Sequence, residues 1–121
     1  MRFGEHEFEL GFKAEEHAPA VAAAALRDNL RTLARLTENS TARLVLMTYP
    51  SRWDFYGHAN WAIRIAAEET GVPLLDLEQV FRPLCPKREC PEWLYWDQHP
   101  KAVGYRRVAE KIVERLPEWF R

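Results

Sequence analysis

Hydrophobic and polar positions along the chain fall into a few distinct patterns. From Phe8 onward apolar and charged residues alternate, but Gly4 and Gly11 interrupt, so Met1 to Phe12 predicts a short extended or loop segment. A helical period takes over between about Glu15 and Glu38. Ala22, Leu26, Leu30 and Leu33 recur at helical spacing in an alanine-rich background. Pro19 suits a first helical turn, where its missing N–H has no partner to lose, and Asn39, Ser40 and Thr41 end the helix.

Arg43 to Tyr49 (RLVLMTY) is a nearly continuous apolar run, as expected of a strand covered by helices on both faces, and Pro50 closes it. A second helix is predicted from Ala59 to Thr70, with Ala59, Ala62, Ile63 and Ala66 on one face and Gly71 as its C′ residue. Val72 to Leu77 reads as a second short buried strand. Pro83, Cys85, Pro86, Cys90 and Pro91 mark an irregular loop. A last helix starts near Pro100 or Lys101, carries Ala102, Tyr105, Val108, Ala109, Ile112, Val113 and Leu116 on one stripe, and stops at Pro117.

Helix, strand, helix, strand, loop, helix is the order of an α/β layer fold with a parallel sheet. Two strands are few for such a sheet, which averages about five or six. Either Met1–Phe12 supplies another strand, or the chain is the C-terminal part of a longer fold.

Composition narrows the function classes. Of 121 residues 47% are hydrophobic and 29% charged, as in a soluble globular domain, and a formal net charge of −1 argues against a nucleic-acid binder. Neither a membrane span nor a signal peptide is visible, so the default location is cytoplasmic unless the N-terminus is truncated. Two cysteines do not make a disulfide framework, and Cys85-x4-Cys90 lacks the spacing of a structural zinc site. A local Cys85–Cys90 disulfide would instead suit an exported protein. No cofactor is expected.

Candidate chemistry concentrates before the last helix, in Tyr95-Trp96-Asp97-Gln98-His99-Pro100. In an extended segment Asp97 and His99 face the same side, and Pro100 holds His99 outside the helix. A carboxylate beside an imidazole fixes its tautomer and prepares it as a general base. The same residues also suit a plain helix start, with Asp97 as a turn or capping residue. In a parallel α/β fold this segment, Tyr49–Tyr56 and Asp76–Val80 should meet beyond the strand ends.

The succession LVLMTYP (Leu44–Pro50), GVPLLDL (Gly71–Leu77), then DQHP and AVGYRRVAEKI (Asp97–Ile112) resembles the C-terminal half of SGNH hydrolases, the GDSL-type esterases. His99, Pro100, Gly104 and Tyr105 match the family order, while Asp97 precedes the histidine by two residues where three are usual. The resemblance implies a flavodoxin-like α/β fold: a three-layer parallel sheet with flanking helices, here a single partial domain over 1–121, incomplete at its N-terminus. It further implies an ester hydrolase acting on small esters or acylated carbohydrates, with His99 as base and Asp97 orienting it. Gly4-Glu5-His6-Glu7 matches the family's oxyanion block with His6 in place of asparagine, and an imidazole N–H can serve there.

The family's G-D-S nucleophile is missing. Ser40 and Ser51 are the only serines; Ser40 lies at the wrong end of its strand, and Ser51 sits in a Tyr-Pro-Ser turn. Two readings therefore stand: a truncated or divergent serine ester hydrolase, and a non-catalytic fragment or pseudoenzyme acting as a binding module. A small flavodoxin-like module is a third, without a Gly-rich phosphate loop to support it. A sheet short of strands leaves apolar edges open, so self-association is expected.

Overall fold

A computed structural model describes residues 2–3, 6–7 and 18–120, with side chains from residue 19. Two short strands, β1 (Arg2–Phe3) and β2 (His6–Glu7), pair with each other antiparallel, Arg2 opposite Glu7 and Phe3 opposite His6. They are followed by α1 (Ala18–Glu38), β3 (Leu46–Met47), α2 (Asp54–Thr70), β4 (Leu74–Leu75), α3 (Leu77–Phe81) and α4 (Ala102–Trp119). β3 and β4 run parallel, with Leu46 opposite Leu74 and Met47 opposite Leu75, and α2 forms the crossover between them.

The three-layer parallel sheet expected from the sequence is not there. The described residues are mainly helical, and the only parallel sheet among them has two strands. The β1–β2 ladder is separate from that sheet, so among the described residues Met1–Phe12 adds no strand to it. The reason is visible in β3. Leu46, Thr48 and Pro50 are buried while Met47 and Tyr49 are exposed, a period of two. A strand with one wet face needs helices on one side only. The apolar run read as two covered faces is one covered face, alternating with an exposed methionine and tyrosine.

The covering side is built from α1 and α2. Leu46 of β3 packs with Ile63, Ala66 and Ala67 of α2, and Leu26 and Leu30 of α1 close over this cluster with Leu44, Val72 and Leu74. Alanines at the contact, Ala23 and Ala34 on α1 and Ala62 and Ala66 on α2, let the backbones approach closely. The buried stripe of α1 is thus rotated about one position from the expected one, leaving Leu33 exposed. At the far end of the helices Arg27 forks onto the Glu69 carboxylate, and Arg31 lies 3.6 Å from the same group. Gly71 ends α2 in the left-handed region, φ 70, its N–H bonded to the Ala67 carbonyl.

A second cluster joins Phe81 of α3, the Cys85–Cys90 disulfide and Leu94, with Trp93 and Val108 packed on it. α4 rests here through Gly104, its one buried residue. The expected apolar stripe of α4 is mostly not buried: Tyr105, Val113 and Leu116 face solvent, and only Val108 and Ile112 are half-covered. The helix also runs past Pro117 to Trp119. A proline this close to the C-terminus removes one backbone N–H from a ladder that is about to end.

Candidate functional site

The three segments expected to meet do converge, though through polar contacts the sequence does not advertise. Thr48 Oγ1, at the end of β3, donates to Asp76 Oδ1 at 3.0 Å and accepts from the Glu78 backbone N–H at 3.2 Å. Asn60 of α2 is fully buried. Its side chain accepts from Tyr49 N–H at 2.7 Å and donates to the Tyr49 carbonyl and to Glu78 Oε2. Arg64, one turn further along α2, grips Asp76 with both Nε (2.7 Å) and Nη2 (2.9 Å) and reaches Glu78 Oε2 at 2.8 Å. The carboxyl ends of β3 and β4, where an α/β fold usually binds ligands, are filled by this network.

Its charges hold one another in place. Burial, the largest single influence, pushes Asp76 and Glu78 up. Hydrogen bonds from Arg64, with Gln79 N–H and Thr48 at Asp76 and with Asn60 at Glu78, overcome it and bring both carboxyls below their ordinary values. Bonding to Asp76 likewise raises the Arg64 guanidinium.

The other half of the site is the turn before α4. Leu94 and Pro100 form an antiparallel bridge, Tyr95 N–H donates to the His99 carbonyl at 2.8 Å, and Gln98 N–H returns to the Tyr95 carbonyl at 2.9 Å. Gln98 takes the left-handed conformation, φ 71, the sole non-glycine among the described residues to do so. Within this turn Asp97 and His99 come together as expected. His99 Nδ1 lies 3.2 Å from Asp97 Oδ2, and Asp97 Oδ1 accepts the His99 backbone N–H at 3.2 Å. The pair is open, with side-chain exposures of 65% for His99 and 44% for Asp97. Among the described residues nothing bonds to His99 Nε2, which leaves that nitrogen for a proton from outside.

Tyr56 supports the turn from α2, its hydroxyl donating to the Asp97 carbonyl at 2.9 Å. Burial and then the Asp97 charge raise the Tyr56 phenol above its usual range, so it stays a donor. Asn60 and Arg64 are the residues sequence reading missed, while Tyr56 and Gln98 lie inside segments expected to meet at the site. Only Asp76 left a signal, since an aspartate three residues before Gln79 has the spacing of a helix N-cap, and its carboxylate does cap α3 at Gln79 N–H, 3.2 Å.

The remaining candidates fall elsewhere. Ser51 is 1% exposed; its hydroxyl donates to Gln98 Oε1 at 2.9 Å and accepts from Trp53 N–H at 3.1 Å, with no contact to His99. His6 belongs to β2, and its side chain lies outside the described residues. Cys85 and Cys90 are bonded to each other, so neither offers a thiolate to a metal. Arg52 ties this disulfide loop to the strand β3 side of the site by donating to the Cys85 and Lys87 carbonyls at 2.6 and 3.0 Å. In the described residues no helix is long and apolar enough to cross a membrane. Compared with known protein families, curated proteins and solved structures, the chain matches none.

Proposed function

We propose that the chain carries the base half of an SGNH-type ester hydrolase site, with His99 as general base and Asp97 as the carboxylate that orients it. The supporting observation is the 3.2 Å contact between His99 Nδ1 and Asp97 Oδ2 in an exposed side chain whose Nε2 has no partner among the described residues. A carboxylate at Nδ1 fixes the proton there and directs the Nε2 lone pair outward, toward a hydroxyl to be deprotonated. That oxygen attacks the acyl carbonyl, the ester C–O bond breaks, and the proton passes from His99 to the departing alkoxide. The hydroxyl is water or one brought by the substrate, since Ser51 is buried and bonded to Gln98. Substrates are O-acyl esters of small alcohols or of carbohydrates.

The same Ser51 geometry favours a second reading, a non-catalytic binding module. Turnover of p-nitrophenyl acetate separates the two. A general base of this kind contributes about 10²–10⁴-fold, so His99→Ala is expected to abolish turnover, Asp97→Asn to reduce it, and His58→Ala to leave it unchanged. A rate indifferent to His99 overturns the hydrolase reading and leaves the binding module.

A further inference from the structure

The turn that holds Asp97 and His99 has a second side. Tyr95, Trp96 and Gln98 line an open cavity of about 320 Å³ together with Trp53, Glu89 and Pro91. Asp97 and His99 do not line it. Its volume lies at the lower end of the range for small-molecule sites, about 300–1,000 Å³. The walls are held from outside the cavity. Cys90, also in the lining, is fixed to Cys85, and Lys101 Nζ donates to the Pro91 carbonyl from the turn before α4. Gln98 is clamped by Ser51. These held walls lose little freedom when a ligand arrives, and the exposed Trp96 side chain is the part left to order.

The lining says what that ligand is. Three aromatic rings and one carboxylate suit either a cation or a neutral polyhydroxyl ring. Two of the rings already hold cations of the chain itself: the Arg88 guanidinium is 5.5 Å from the Trp53 centroid, and Lys101 Nζ is 5.6 Å from that of Tyr95. A second cation would meet these charges. Trp96 has no ring partner among the described residues and is 86% exposed, the most exposed large hydrophobic side chain of those residues. A free π face is negative, and the C–H edge of a pyranose ring offers it weakly positive hydrogens without a net charge. Glu89 accepts hydroxyl protons at the rim.

We propose that this cavity is a saccharide subsite in which a neutral pyranose ring stacks on Trp96. It shares with the functional reading above the choice of carbohydrate as substrate class, but binding there needs neither Asp97 nor His99. The assigned indole N–H signals of the whole chain, followed by NMR during titration with xylotetraose, cellotetraose, maltotetraose and chitotetraose, test it. At least one of these sugars shifts the Trp96 signal saturably. Trp96→Ala weakens that binding about tenfold or more, Trp96→Phe keeps most of it, and His99→Ala binds as the parent does. Trp96 is exposed enough for both variants to fold. No shift with any of the four sugars overturns the proposal, as does binding that survives Trp96→Ala undiminished. Saturable binding of tetramethylammonium in their place overturns it in favour of a cation site. Sugar binding without ester turnover leaves the subsite standing and removes only the hydrolase.

Discussion

At Ser51 the hydroxyl hydrogen points at Gln98 Oε1 while the oxygen takes the Trp53 N–H, so both of its capacities are used inside the fold. A serine committed in this way is a clamp between segments 47 positions apart in sequence. We expect Ser51→Ala to leave the buried Gln98 Oε1 and the half-buried Trp53 N–H without this partner and to cost about 1–3 kcal/mol in urea denaturation. A fluorophosphonate probe is expected to leave Ser51 unlabelled in the parent. Both results follow from burial, and labelling at Ser51 would restore it as a nucleophile. The contrast with Asp97 and His99 shows what a sequence discloses at this scale. Two residues flanking one position are near each other in any conformation, so their pairing could be read directly. Gln98, between them, could not. Its left-handed backbone, which costs a non-glycine residue about 1–2 kcal/mol, is held by Ser51 from far away in the chain, and no local pattern encodes that partner.

Among the elements, α4 depends on one residue. A Cβ on Gly104 would stand 2.8 Å from the Trp93 carbonyl oxygen and 2.9 Å from Pro100 Cβ. Both are anchored, Trp93 by the bond from Lys101 N–H at 2.8 Å and Pro100 by its bridge to Leu94. Gly104→Ala is therefore expected to lower stability by about 1–3 kcal/mol, the usual cost of overpacking, and thermal melts followed by circular dichroism measure it. Gly71→Ala is the instructive control. It meets no atom within 4 Å but sits at φ 70, so it suffers backbone strain alone. The long helices and the parallel strand pair were legible because period and composition carry over many residues. α2 begins five residues earlier than its apolar face suggested, at Asp54, because its first turn, Asp54-Phe55-Tyr56-Gly57, holds an exposed phenylalanine and a glycine and adds nothing to the buried stripe. α3 was lost inside what looked like strand and loop. Five residues are too few to establish a period, and the Asp76 cap was its only mark.

For the molecule as a whole, Arg64, Asp76 and Glu78 join α2, β4 and α3 into one unit, and they make its stability depend on pH. Both carboxyls ionise more readily in the native chain than in the unfolded one, for which about 3.9 and 4.3 are typical. Their contribution is complete above those unfolded values and is lost as the pH falls through the lower native ones. Denaturant midpoints are expected to be flat near neutrality and to decline below about pH 4. Arg64→Met is expected to destabilise at pH 7 by about 2 kcal/mol, between an exposed and a fully buried pair, and to shrink the acid slope, since the guanidinium that depresses both carboxyls is gone. An unchanged slope would place the acid sensitivity elsewhere.

The layering was the part of this architecture that the sequence misstated, because an apolar run does not reveal whether it has one wet face or none. What the turn from Tyr95 to His99 does with its two sides carries a thermodynamic consequence. The cavity wall of Tyr95, Trp96 and Gln98 and the Asp97–His99 pair belong to one five-residue turn. If one ligand stiffens that turn and favours the other, the second must favour the first by an identical factor. A chain-like ligand long enough to touch both would gain further, its second contact being made at the high effective concentration that the first one creates.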